Sequence, residues 1–173
     1  MSEFVNPTQI LQNLNLKEAM VAADFGCGSG GWVIPLAKIL EDGMVFAVDV
    51  QTGPLSALTG KIKSEGLSKV KQIVADVEAG VPVIKDLSCD LVLLTNLLFQ
   101  VEDKTAVIKE AKRVLKQSAQ LLVVDWNEET VLDPKQGVCS KEQATSFAIM
   151  SGFKLEKELD TGGHHYGLLF LKA

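Results

Sequence analysis

Asp24-Phe-Gly26-Cys-Gly28-Ser-Gly30 joins an acidic side chain to three alternating glycines, between the apolar run at 20–23 and a helical pattern at 32–40. Glycines at a strand-to-helix turn let the backbone approach a ligand closely, with helix N–H groups facing it. Two further carboxylates, Asp49 and Asp76, close the β-rich runs 44–50 and 70–77. A carboxylate at the end of the strand beside the glycine turn can accept both hydroxyl protons of a ribose, whereas it repels a phosphate. The combination points to a nucleoside-type ligand held by backbone and carboxylates.

The glycines alone leave two readings open. Gly26, Gly28 and Gly31 also satisfy G-x-G-x-x-G, the dinucleotide fingerprint, and Asp49, 19 residues after Gly30, would serve a nicotinamide cofactor equally well. The elements around the turn must discriminate.

Short β-rich runs alternate with helix-length amphipathic segments, the sign of a parallel sheet with helices on both faces. Strands are expected near 20–25, 44–50, 70–76, 90–96 and 120–126. Helices are expected near 7–14, capped by Asn6-Pro7, and near 30–41, 54–65, 103–116 and 140–151, with Pro54 in the first turn of the third and Gly66 closing it. Residues 77–88 have room for a turn or one helical twist. The segments 152–159 and 165–172 read as two strands joined by Asp160-Thr-Gly-Gly-His164, too short for a helical crossover, so they must pair antiparallel. The fold class is therefore α/β: a Rossmann-like, seven-stranded sheet with an antiparallel C-terminal hairpin and helices on both faces, in a single domain over 1–173.

With 173 residues, 47% hydrophobic content and a net charge of −5, the chain is expected to bury one sizeable core. It has no run of about 18 apolar residues and no basic-plus-apolar leader, so a cytoplasmic protein without a membrane span is expected. No Lys/Arg cluster supports direct nucleic-acid binding. Cys27, Cys89 and Cys139 form no C-x-x-C pair, suggest neither a disulfide framework nor a metal site, and read as small packing residues.

The Asp24-x-Gly-x-Gly-x-Gly30 pattern, followed by the hairpin, resembles motif I and the sheet of the class I S-adenosylmethionine (SAM) methyltransferases. The stretch from Val107 through Leu115 to Trp126 is similar to the helix, turn and fifth strand of the methyltransferases of ubiquinone and menaquinone synthesis. There the turn usually reads Leu-Lys-Pro-Gly-Gly, and Gln117-Ser118-Ala119 departs from it at the edge of the sheet far from the glycine turn. The resemblance covers nearly the whole chain and is specific for the superfamily, not for a substrate. It implies SAM as cofactor: Gly26, Cys27, Gly28 and Gly30 admitting it, Asp24 meeting its amino acid end, Asp49 its ribose, Asp76 and Val77 its adenine, with Val50 also among the cofactor-binding residues and Asn96 lining the pocket at the end of the fourth strand. Asn96-Leu-Leu-Phe99 lacks the prolines of the Asn-Pro-Pro-Tyr/Phe motif of amino-group methyltransferases, so that mechanism is not implied.

Because the last strand runs antiparallel, its start lies at the cofactor edge. Alternation puts His164 and Tyr166 on one face and His165 on the other, which makes His164 and Tyr166 candidates for acting on the acceptor. Trp32, Leu97, Leu98, Phe99 and Trp126 suggest an apolar floor and a small-molecule acceptor. About 19 residues precede the first strand and only Asn127 to Ser140 follow the fifth, so a homodimer or partner subunit completing the pocket is also expected. Three rivals stay open: a catalytically silent SAM-binding partner, a methyltransferase of a protein or RNA acceptor, and a nicotinamide oxidoreductase. The oxidoreductase would need a Tyr-x-x-x-Lys pair, and Phe170 stands four residues after Tyr166.

Overall fold

The computed structural model describes residues 5–127 and 137–173. Before the sheet, helix α1 (Pro7–Gln12) starts where Asn6 Oδ1 accepts the Gln9 amide at 3.2 Å, as the Asn-Pro pair predicts. The parallel part of the sheet comprises β1 (Val21–Phe25), β2 (Met44–Asp49), β3 (Val70–Val74), β4 (Cys89–Thr95) and β5 (Leu115–Trp126). Helices α2 (Val33–Ile39), α3 (Thr52–Ser64) and α4 (Lys104–Val114) make three of its crossovers, and α5 (Lys141–Met150) leads into the hairpin of β6 (Phe153–Leu159) and β7 (His165–Lys172).

The sheet has seven strands in the order β3-β2-β1-β4-β5-β7-β6. β7 lies antiparallel between β5 and β6, opposing Trp126 with His165 and Gln120 with Leu171. Strand order reverses between β1 and β4, and open α/β sheets bind ligands at the carboxyl ends of the strands flanking such a switch. Gly26 and Leu97 follow those two strands.

Both faces are covered, which explains strands as continuously apolar as Leu91-Val-Leu-Leu94. One core cluster gathers Val92, Leu94, Leu121, Val123, Leu168 and Phe170 under α4 and α5. The other gathers Leu91, Leu93, Leu122, Val124 and Leu169 under α1, α2 and α3. α4 buries Val107, Ile108, Ala111 and Val114, one apolar stripe at helical spacing, and each large side chain so buried stabilises the fold by about 1.5–3 kcal/mol.

Several expected boundaries move for local reasons. α2 begins at Val33, because Gly30 has φ +87° and prolongs the turn. β5 begins at Leu115 directly after α4, and Ser118 takes φ +57° where the family pattern places glycine. α3 starts at Thr52, two residues before Pro54, and ends before Gly66, whose φ is +67°. α5 carries a full capping box in which Ser140 Oγ accepts the Gln143 amide and Gln143 Oε1 accepts the Ser140 amide. Residues 77–88 form turns only. Of the cover expected between Asn127 and Ser140, residues 128–136 lie outside the described residues. Among the described residues no helix is long and apolar enough to cross a membrane.

Candidate functional site

A cleft of about 460 Å³ opens at the carboxyl ends of β1, β2, β3 and β4. It falls within the range of roughly 300–1,000 Å³ that small-molecule sites occupy. Gly26 and Gly28 form one wall, Asp49, Val50 and Gln51 follow β2, Ala75, Asp76, Val77 and Glu78 follow β3, and Leu97, Gln100 and Val101 follow β4. Among these residues are three carboxylates and no lysine, arginine or histidine.

The glycine turn is fixed by its own backbone. The amides of Gly26 and Cys27 both donate to the Val48 carbonyl, at 2.8 and 2.9 Å, and the Gly30 amide donates to Cys27 O at 3.0 Å. From α3, Lys61 Nζ donates to the Ser29 carbonyl at 2.9 Å. Gly28, at φ +54°, would point a Cβ into open space, so the missing side chain leaves a cradle on the cleft wall. Asp49 Oδ2 accepts the Gly28 amide at 2.8 Å and its Oδ1 accepts the Gln51 amide at 2.8 Å. Each carboxylate oxygen has two lone-pair positions, so Asp49 retains capacity for hydroxyl donors in the cleft. Asp76 Oδ1 accepts the Glu78 amide at 2.9 Å, and Glu78 Oε1 accepts the Asp103 amide at 2.6 Å.

Of the residues singled out in the sequence, Gly26, Gly28, Asp49, Val50, Asp76 and Val77 line this cleft together. Asp24, Cys27, Gly30 and Asn96 do not, and each has a physical reason. Asp24 stands one residue short of the end of β1, is wholly buried behind the turn, and both its carboxylate oxygens lack a hydrogen-bond partner. Burial first, and then the negative charge of Asp49, push its pKa up to about 8, so it holds a proton at neutral pH. Cys27 is buried in the cluster of Trp32 and Leu36, and its thiol is pushed up first by burial and then by Asp24 and Asp49. A Cβ on Gly30 would lie 2.4 Å from Leu58 Cδ1, so that glycine permits α3 to pack, and it lines a separate cavity with Thr8, Ile34 and Lys61. Asn96, at φ +49°, directs Oδ1 to His165 Nε2 at 3.0 Å.

Of the hairpin candidates, Tyr166 is corrected: it lies on the opposite face from His165 and meets the α4–α5 core, where its hydroxyl donates to the Cys139 carbonyl at 2.8 Å, and its pKa is raised first by burial. His164 is half-buried, its carbonyl accepts the Asn127 amide at 2.9 Å, and it does not line the cleft. His165 is the hairpin residue that reaches the turn after β4. Its ring also meets that of Trp126, with centroids 4.2 Å apart, its Nδ1 is buried without a partner, and burial followed by His164 lowers its pKa to about 4. Of the expected apolar floor only Leu97 lines the cleft, while Trp32 and Leu98 are core.

Sequence reasoning missed Gln51, Glu78, Gln100 and Val101, although Gln51 and Glu78 each stand two residues past a strand-end aspartate. It also missed Asp125, which is wholly buried near the end of β5, accepts the Leu98 amide at 2.8 Å, and has a pKa pushed up to about 6 by burial against the opposing pull of nearby amides. All three cysteines are buried with no disulfide between them, and no cluster of metal-ligating side chains occurs among the described residues.

The chain is similar to known proteins in sequence and in fold. The family model described as a methyltransferase domain matches residues 23–123. The demethylmenaquinone methyltransferase of Bacillus velezensis is 29% identical over 119 residues, covering 68% of this chain and 50% of that protein. The chain thus spans about half the length of the curated relatives it matches. The crystal structure of a SAM-dependent methyltransferase from Aquifex aeolicus superposes with a TM-score of 0.89 at 24% identity, covering 99% of this chain and 92% of that one. The cyclase SpnF superposes at 0.83 with 16% identity, covering 96% of this chain and 80% of that one. These two likenesses concern the fold, which hosts more than one chemistry.

Proposed function

The chain belongs to the methyltransferase-domain family, of the class I SAM-dependent type, and from that premise we propose that it transfers a methyl group from SAM to a small-molecule acceptor. The observation that carries the reading is the composition of the cleft: a cradle at Gly28, where no side chain intrudes, beside Asp49, Asp76 and Glu78, with no cationic side chain among the described residues that line it. Such a lining attracts a cationic, hydroxylated nucleoside and repels a pyrophosphate.

In this reading Asp49 accepts the ribose hydroxyls while continuing to hold the Gly28 amide, so one carboxylate shapes the turn and binds the ligand. Asp76 and the Val77 backbone serve the adenine, and Val50, 62% exposed in spite of its apolar side chain, is covered by the ring. Asp24 acts from behind the turn, through its charge state, on the cationic end of the ligand. Bound SAM supplies an electrophilic methyl group on a sulfonium sulfur. The chain contributes orientation and exclusion of water, which place an acceptor nucleophile in line with that methyl, and no acid or base on the cleft surface is required for it.

The relatives' name specifies a demethylated menaquinone, and by extension the acceptor here is a small apolar ring compound. We take residues 1–173 to work as one domain in the cytoplasm, with a second copy or a partner subunit completing the acceptor side, since only residues 127–140 link β5 to α5. Calorimetry with S-adenosylhomocysteine and with NAD tests the cofactor. Micromolar binding of the former and none of the latter is expected, and the reverse result refutes the reading. Radiolabelled SAM offered with a panel of quinols and phenols then tests transfer itself.

A further inference from the structure

Asp125 is a carboxylate with 0% exposure and no ion-pair partner among the described residues, an arrangement that costs stability unless amides converge on it. Amides do converge. Its Oδ2 accepts Leu98 N–H at 2.8 Å, its Oδ1 accepts Trp126 N–H at 2.8 Å, and the Phe99 and Leu97 amides also favour its ionised form. Three of those four amides belong to the turn after β4. Asn96, which opens that turn in a left-handed conformation, is held on its other side by His165. The product of this double hold is the position of Leu97. A Cβ on Gly26 would lie 2.7 Å from Leu97 Cδ1, so Leu97 rests directly on the glycine turn, and both line the cleft.

We infer that Asp125 is a positioning residue, an anionic clamp that draws in the amides of residues 97–99 and so sets Leu97 against Gly26 as the wall of the cofactor cleft. The meaning of that wall rests on the function proposed above, whereas the clamp itself does not. An asparagine would fill the same space, but it would turn an N–H₂ group toward an amide donor and lose the charge-assisted bonds. Among the described residues no cation compensates the charge of Asp125: from β7, Tyr166 stands opposite it and neutral His165 opposite Trp126, the turn after β4 presents its amides, and Cys139 lies beyond the Tyr166 hydroxyl.

The test compares Asp125→Asn with Lys172→Met, a control at the opposite end of the sheet, where Lys172 Nζ donates to the Lys112 and Leu115 carbonyls at 2.7 Å. Amide hydrogen exchange over residues 96–101, melting temperature and S-adenosylhomocysteine affinity are measured on the full chain. In Asp125→Asn, exchange over 96–101 is expected to rise about tenfold or more and affinity to fall about tenfold. In Lys172→Met the melting temperature falls and neither of the other quantities moves. In the unmodified chain, protection over 96–101, corrected for intrinsic rates, should drop between pH 7 and 5 as Asp125 takes up a proton, a range in which Asp24 is already protonated. This readout decides the matter even if Asp125→Asn does not fold. Unchanged protection in the variant and across that pH range, or an affinity loss no larger than in Lys172→Met, overturns the clamp. If the unmodified chain binds no S-adenosylhomocysteine, the cofactor reading fails and exchange alone judges the clamp.

Discussion

Acidic side chains stand at both ends of the parallel strands, and the two ends treat them in opposite ways. At the amino end Asp90 accepts the Val21 amide at 2.9 Å and pairs with Lys116 at 2.8 Å. Arg113 there joins Glu110 and Asp86, and the Glu110 carboxyl is held below its usual range chiefly by that guanidinium. At the carboxyl end Asp24, Asp49, Asp76 and Asp125 have no ion-pair partner among the described residues, and two of them are buried. Folding alone favours the first arrangement, because paired charges stabilise or are neutral while isolated buried ones cost several kcal/mol. On the function proposed above, this asymmetry suits the carboxyl end to the positive charge of the cofactor.

The largest expected effect breaks the comparison at Asp24. Its pKa in the fold, about 8, lies above the ordinary 3.8, so the protonated form is the one the fold favours. Stability is therefore greatest at low pH and falls by up to about 1.4 kcal/mol per pH unit from about pH 4 to 8, apart from other groups. Asp24→Asn should abolish that decline in urea titrations across the range. It should also abolish the proton release expected when SAM binds near pH 7, which calorimetry in two buffers of different ionisation enthalpy detects. Equal slopes in the two proteins would show that Asp24 is not the group concerned.

Gly28→Val follows. The branched side chain must adopt φ +54° and fill the cradle, so S-adenosylhomocysteine affinity should fall by about 100-fold or more while circular dichroism stays native. Asp49→Ala removes a charged acceptor from a strand end and should weaken binding by about 1–3 kcal/mol, measured by calorimetry, without unfolding the chain. The smallest effect belongs to the amino end. Lys116→Met breaks a part-exposed pair with Asp90 and should change stability by less than about 1 kcal/mol, with cofactor affinity untouched. An affinity loss there would remove the contrast between the two ends.

The sequence made legible those features whose position along the chain is also their position in space. Asp49 closes β2 and Asp76 stands two residues past β3, and a strand end in a parallel sheet is the edge where such folds bind ligands. The loop 160–164 is too short for a crossover, so β7 had to be antiparallel. What escaped was depth. Nothing in a linear pattern tells that Asp24, one residue short of the end of its strand, is sealed behind the turn, or that Gly30 makes room for Leu58. Tyr166 and His165 were assigned to opposite faces correctly, but which face leads to β4 depends on the docking of α4 and α5. Asp125 was visible as one more strand-end carboxylate, yet its role depends on where the next loop over places its amides.

The place of β7 in the sheet has a consequence for the order in which the molecule can be assembled. During synthesis β5 emerges before β7, and until residues 165–172 have been made the apolar ladder of Leu121, Leu122, Val123 and Val124 has an unpaired edge. β6, made earlier than β7, reaches the sheet only through it. An apolar edge left open in this way is a template for pairing with another chain. Replacement of Gly167, where a Cβ would lie 2.5 Å from Thr161 Cγ2, would obstruct the closing strand and prolong the interval in which that edge stands open.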